Sequence, residues 1–281
     1  MPALRAAVGE DQRGDGVGPA RAGPGDRRRP DATRPVRGGR GRRGAGGAGR
    51  EQLFLVRRIG VLGGTFDPIH AGHLALASAA LEAAGLEKVD LVPSFSPPHR
   101  PSHRPAAHWH RFAMVVLATT DRPRLLASDR EIRRAGISYM LETLRSYRED
   151  DTPAVPLLIL GLDAFAELPS WREPEALVAE FDLLVASRPG VRKEEVLQGL
   201  PAWLRRRISP LPELSQPPAG AGRPCGGRIA LFDMPPYTVS ATEVRERLAR
   251  KETIKSLVPE AVASYIVKYD IYGGGYPATG E

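Results

Sequence analysis

Cysteine is nearly absent from this chain of 281 residues. One thiol, Cys225, cannot make an intrachain disulfide framework, so the small stapled secreted folds are excluded and a reducing, cytoplasmic setting is expected. Its Gly/Pro-rich surroundings mark it as incidental rather than nucleophilic. Long apolar runs are missing too. None approaches the roughly 20 residues that span a bilayer, and Leu53 to Val56 is too short for a signal-peptide core, so no membrane partner is expected. The six histidines, all between His70 and His110, have neither neighbouring cysteines nor a HExxH helix, so a dedicated zinc site is not expected.

A net positive body is a further absence. Residues 1–50 hold 12 arginines against 5 acids, which accounts for the whole charge of +7; the other 28 basic and 28 acidic residues cancel. The pI therefore carries no information about the body's active site. Residues 1–52 are mostly Gly, Arg, Pro and Ala without apolar periodicity. They cannot bury enough surface to offset ordering entropy, and are expected to form a disordered tail ahead of one domain over 53–281. No aromatic interrupts that arm to stack on bases, which counts against a nucleic-acid role.

What is present is regular from about residue 57. RIGVLGG reads as a buried strand, Ala71 to Ala84 as an alanine- and leucine-rich helix closed near Gly85, and the stretch from Lys88 as a second strand. A proline-rich loop follows, then a helix from about Ala106 to Thr119, a short strand near Arg124 to Ala127 and a helix from about Ser138 to Arg148. Further strands are expected at Pro156 to Gly161, Phe181 to Ser187 and Arg228 to Phe232. One helix is expected from Val191 to about Arg207, and Ser209 to Gly227 should be an exposed loop. Helices at about Ser240 to Lys251 and Pro259 to Lys268 complete the pattern. Apolar strands alternating with amphipathic helices specify an α/β fold, a parallel sheet covered on both faces. Ligands bind such sheets beyond the carboxyl ends of the strands, where the connection order reverses.

The segment GGTFDPIHAGHL, Gly63 to Leu74, follows the first strand at that end. Gly63 and Gly64 allow a tight turn and close backbone approach. Thr65 can donate its hydroxyl to phosphate, and His70 and His73, three apart, share a helix face at its N-terminus. Imidazoles there would stabilise the extra charge of a five-coordinate phosphorus. Composition alone yields a chance His-x-Gly-His about 0.01 times in a chain like this. The segment is neither a Walker loop nor a GxGxxG turn. A second constellation, YTVSATEVRERL, begins a helix through a Ser240–Glu243 capping box. Ser240, Thr242 and Arg245 then place two hydroxyls and a guanidinium around its N-terminus as a polyphosphate clamp.

GGTFDPIHAGHL, PSFSPPHRP, SDREIRRAGISYMLETL, GLDAFAELPSW, ASRPG and VSATEVR occur in the order seen in bacterial nicotinate-nucleotide adenylyltransferases. Over about residues 57 to 270 the chain resembles that family of the HxGH nucleotidyltransferase superfamily. The resemblance implies a Rossmann-like doubly wound fold and transfer of the adenylyl group of ATP to nicotinate mononucleotide, giving nicotinate adenine dinucleotide and pyrophosphate, with Mg²⁺. Attack would be direct, with no covalent enzyme intermediate. It further implies that Gly63, Gly64, Thr65, His70 and His73 contact ATP, completed by Ser240, Thr242, Arg245 and Arg188 of ASRPG. For the acceptor it implies Asp163 at ribose hydroxyls and Trp171 stacked on the pyridine ring. His99 and Arg100 would lie at its phosphate. Tyr139 and Met140 occupy the family's Ser-Tyr-Thr position, where Met140 departs from threonine and puts the preference for carboxylate over carboxamide in question. Another HxGH transferase is disfavoured by GLDAF and PSW, and an aminoacyl-tRNA synthetase by the lack of a KMSKS-like loop. A homo-oligomer stays open.

Overall fold

The computed structural model describes residues 57–98, 104–150, 154–187, 193–215 and 226–273. The expected tail lies outside them. The described chain opens with β1 (Arg57–Gly64), α1 (Ala71–Ala83), β2 (Lys88–Pro93), α2 (His108–Thr119) and β3 (Leu125–Ala127). Two short helices, α3 (Arg130–Arg134) and α4 (Met140–Ser146), lead to β4 (Ala154–Gly161), α5 (Leu162–Glu167) and α6 (Pro174–Glu180). Then come β5 (Asp182–Ser187), α7 (Lys193–Gly199), α8 (Ala202–Arg205), α9 (Leu211–Ser215), β6 (Ile229–Asp233), α10 (Ala241–Ala249) and α11 (Glu260–Lys268).

The strands form one parallel sheet in the order β3-β2-β1-β4-β5-β6. Chain order reverses between β1 and β4, so the crevice expected for a ligand opens beside the carboxyl end of β1. Period-two alternation explains why these strands sit centrally. In β4, Leu157 and Ile159 face one core while Leu158 and Leu160 face the other; in β5, Leu184 and Ala186 oppose Leu183 and Val185. The first core is covered by α1, α2, α10 and α11, the second by α4, α5 and α6. Both faces are covered, as the near-continuous apolar strands require.

Helix α1 shows how local chemistry sets these boundaries. Its alanine-rich sequence favours helix, and Gly85 ends it in the left-handed region at φ 57°. Leu86 N–H donates to the Leu81 carbonyl at 3.0 Å and Gly85 N–H to that of Glu82 at 3.3 Å, the paired bonds of a Schellman stop.

Three expectations need correction. The helix expected over Val191 to Arg207 is broken into α7 and α8, because Pro201 forms the N-cap of α8. The expected loop from Ser209 contains α9, held by Leu214, which is fully buried in the first core. Helices α3, α5 and α6 were not expected at all. They run five to seven residues, too short for apolar periodicity to register.

Candidate active site

Gly63 and Gly64 are strand residues, paired with Val92 and Pro93 of β2, rather than the turn expected from them. Their lack of a side chain matters for space: a Cβ on Gly63 would lie 2.1 Å from the Met140 methyl. The turn itself falls on Phe66, whose backbone is left-handed at φ 49°. Asp67, Pro68 and Ile69 are buried behind it, and His70 becomes the N-cap of α1.

The two histidines cap the helix for each other. His70 and His73 form a reciprocal capping box, in which the His70 N–H donates to His73 Nδ1 at 3.3 Å. Their rings stack with centroids 3.7 Å apart, and Phe66 meets His73 edge-on at 4.9 Å. An acceptor at Nδ1 leaves Nε2 as the proton-bearing nitrogen of a neutral His73, a fixed donor. The glycine between them leaves the pair room: a Cβ on Gly72 would stand 3.1 Å from the His70 ring, close enough to press it aside, and 3.4 Å from the Val239 carbonyl, an ordinary contact. Two backbone N–H groups of this helix end are already engaged. Ala71 N–H donates to the Leu257 carbonyl at 2.8 Å and His73 N–H to that of His70 at 3.0 Å.

The second constellation sits against the first. Ser240 caps α10, its Oγ accepting from the Glu243 N–H at 3.1 Å. The reciprocal half of the expected capping box is replaced, because the Glu243 carboxylate pairs with Arg247 one turn on, at 3.0 Å. Arg245 turns inward. Its Nη1 donates to the Asp67 carbonyl at 2.6 Å and its Nη2 to Thr242 Oγ1 at 3.2 Å. The two signature stretches are thus joined by a direct bond across 178 residues of chain. Tyr272 adds a third strand of the knot, its hydroxyl donating to the buried Asp67 carboxylate at 2.8 Å. Burial first, then Asp67, pushes that phenol far above its ordinary pKa.

Arg111 organises the same loop from below and was not foreseen. Only 2% exposed, it donates to the carbonyls of Thr65 and Ser94 at 2.6 Å each and of Ala106 at 2.9 Å, with a longer bond to Phe95. Burial pulls its pKa down, and Asp67, Tyr272 and Glu131 pull it back up. A signal existed: Arg111, Met114, Val115 and Ala118 share the buried stripe of α2 at helical spacing.

Beside this knot a cavity of about 530 Å³ opens at the carboxyl end of β1. Gly63, Gly64 and Thr65 form one wall; Tyr139, Met140 and Trp171 form another, with Arg172 at Trp171's side. Trp171 follows a single 3₁₀ turn, Leu168–Ser170, and packs partly against the second core. Glu131, also in the lining, is buried and receives the Thr143 hydroxyl at 2.5 Å. Burial raises its pKa against the pull of Thr143, Ser138 and Arg134. Asp163 stands exposed on the first turn of α5 and is not among the residues lining this cavity. His99, Arg100, Arg188 and Cys225 lie outside the described residues. His110 is engaged elsewhere, 3.0 Å from the Tyr265 hydroxyl.

A family model described as cytidylyltransferase-like matches residues 61–247, a span holding both signature stretches. A probable nicotinate-nucleotide adenylyltransferase of Citrobacter koseri is 35% identical over 214 residues, 75% of this chain and 97% of that protein. One from Symbiobacterium thermophilum is 38% identical over 216 residues, 76% of this chain and 95% of its own. The chain belongs to the nicotinate-nucleotide adenylyltransferase family. Its fold is also that of the Plasmodium falciparum nicotinic acid mononucleotide adenylyltransferase solved with NaAD, at 19% identity and a TM-score of 0.58, covering 77% of this chain and 98% of that one. In this family member the Arg245–Asp67 bond joins the two signature stretches, and Tyr139, Met140 and Trp171 share one cavity with Gly63, Gly64 and Thr65, whose lining does not include His70, His73, Ser240, Thr242 or Arg245. No helix among the described residues is long and apolar enough to cross a membrane.

Proposed function

We propose that this enzyme transfers the adenylyl group of ATP to nicotinate mononucleotide, releasing pyrophosphate and forming nicotinate adenine dinucleotide. The observation that supports the reading is the Arg245–Asp67 bond, which ties together the two stretches proposed to handle phosphate. Thr65 and the glycines of β1 then form a wall shared with the 530 Å³ cavity.

The acceptor's 5′-phosphate is largely dianionic near neutral pH, so it needs no strong base. One of its oxygens bonds to the α-phosphorus as the bond to the bridging oxygen of the departing pyrophosphate breaks. The protein aligns the two in line and neutralises charge. His73, through Nε2, and Thr65, through its hydroxyl, donate to the triphosphate at the α1 end. His70 fixes His73 by the shared cap. Ser240, Thr242 and Arg245 complete the donor set from the α10 end. Trp171 stacks on the pyridine ring, with Tyr139 and Met140 closing its far side.

Magnesium does not fit a protein-held site here. Among the described residues no group of three or more His, Cys, Asp or Glu could hold a metal ion. The donors at the crevice are hydroxyls, imidazoles and guanidinium, which suit anions. An ion carried in on the triphosphate needs no such site, and no step above is routed through one. Pyrophosphate release is the test: it should require ATP and nicotinate mononucleotide together, with no stoichiometric burst from ATP alone. Release with neither pyridine mononucleotide would refute the reading.

A further inference from the structure

We propose that Tyr272, in the turn after α11, positions the ATP clamp by holding the Asp67 carboxylate away from Arg245. This rests on the clamp proposed above, in which Arg245 meets the triphosphate. Tyr272 is a positioning residue; it acts through Asp67 and touches neither substrate.

Local chemistry brings the hydroxyl to its place. Helix α11 buries Val262, Ala263 and Ile266 in the first core and stops in a Schellman turn. Ile271 N–H donates to the Ile266 carbonyl at 3.2 Å and Asp270 N–H to that of Val267 at 3.3 Å, with Asp270 left-handed at φ 46°. Aspartate is among the few residues that tolerate that conformation. The reversed chain packs Ile271 and Tyr272 back on the same core. The Tyr272 hydroxyl thereby reaches Asp67 across 205 residues of chain.

Asp67 needs that donor. Its side chain is 3% exposed, and Oδ1 accepts from the Tyr272 hydroxyl at 2.8 Å and from the Ala106 N–H at 3.0 Å. Oδ2 stands 3.9 Å from Arg245 Nη1, beyond hydrogen-bond range, while Nη1 donates to the Asp67 carbonyl instead. Two neutral donors thus steady the carboxylate and leave the Arg245 guanidinium, with its side chain 21% exposed, outside a closed ion pair. Burial and Asp67 keep the phenol protonated, so it stays a donor. Without the hydroxyl a buried carboxylate is short of a donor, and Arg245, already 3.9 Å away, can supply one. Closing that pair draws the guanidinium from the triphosphate and cancels part of its charge.

The test is steady-state pyrophosphate release by the full chain in the wild type, Tyr272→Phe, Asp67→Asn and the double variant, each below its melting transition. Phenylalanine keeps the ring against the core and removes only the hydroxyl. Tyr272→Phe should raise KM for ATP about tenfold, the scale of weakening one hydrogen bond to a charged group. KM for nicotinate mononucleotide and kcat should hold within about twofold. Inhibition by inorganic pyrophosphate, which uses the same clamp, should weaken in parallel. In the Asp67→Asn background no carboxylate remains to close on Arg245, so adding Tyr272→Phe should change KM for ATP by less than about twofold. A hydroxyl that only stabilises the fold would lower Tm and leave this split unmoved. An unchanged KM for ATP, an equal rise for both substrates, or a full effect persisting in Asp67→Asn overturns the inference and leaves the transferase reading intact. A wild type that makes no dinucleotide from ATP and nicotinate mononucleotide refutes that reading instead.

Discussion

Replacing Arg111 with methionine should destabilise this protein by about 3–5 kcal/mol and loosen the loop that carries Thr65. Methionine keeps the length and apolar bulk of the side chain but removes every donor. Three carbonyls lose short bonds: those of Thr65, Ser94 and Ala106, at 2.6, 2.6 and 2.9 Å. A buried acceptor left unsatisfied costs about 1–3 kcal/mol, so three sum to roughly 3–9. Two effects reduce this. Removing the guanidinium also removes its desolvation cost, which the lowered pKa reports. Water or backbone relaxation will satisfy part of what is stranded. The lower half of the range therefore wins.

Urea unfolding at neutral pH reads the loss directly as a shift in midpoint at constant slope. Arg111→Lys is the informative companion. An ammonium has three donors without the planar fork, so it should recover some of the stability but not the spread of bonds to two separate loops. Activity measured below the transition should fall in both variants, mainly through the KM for ATP, because Thr65 is held through its own carbonyl. A loss below about 1 kcal/mol for methionine, or full replacement by lysine, would show that the carbonyls around Arg111 do not depend on it.

His73→Ala should lower kcat at least about 10²-fold, the usual effect of losing a donor to developing transition-state charge; turnover within about tenfold of wild type would remove His73 from that role. Gly63→Ala should cost less than about 1 kcal/mol, because the methyl it meets is the far end of the flexible Met140 side chain, which can swing away, and adding Met140→Ala should remove even that cost. Thermal melts that are additive across the pair would refute that contact. Glu131 has a folded pKa raised by burial, so the folded state binds more protons and stability from this group falls as pH rises above the ordinary glutamate range. Glu131→Gln, which keeps the acceptor for Thr143, should raise Tm most near pH 8 and lose the gain toward about pH 4; a gain independent of pH would show that charge burial is not the cause.

The parallel sheet was legible because each central strand is apolar on both faces, a pattern that only two covering layers explain. Leu157 to Leu160 carry it without interruption. Short helices were not legible for the opposite reason. In α3 and α5 the burial of one or two residues decides the conformation, and tertiary contact supplies it. Helix α6 did carry a local sign, Pro174 at its first turn. The break at Pro201 was equally available to reading, since proline within a helical pattern ends it.

Residue types at the site were readable, but their directions were not. Arg245 was expected to place its guanidinium around the N-terminus of α10 as part of a polyphosphate clamp, and two of its nitrogens bond instead to Asp67 and Thr242. Whether an arginine near a helix N-terminus points outward depends on what lies across from it. Here that is the carbonyl of Asp67, exposed by the left-handed turn at Phe66, and sequence distance hides the encounter. The same reasoning explains the glycine in His-x-Gly-His. A Cβ on Gly72 would press on the His70 ring at 3.1 Å and only touch the Val239 carbonyl at 3.4 Å. Gly72 therefore spares the stacked His70–His73 pair a displacement of a few tenths of an ångström. Because His73 is proposed to donate to the triphosphate, Gly72→Ala should raise the KM for ATP by shifting the His70–His73 pair even though nothing there need touch ATP, and an unchanged KM would refute that route.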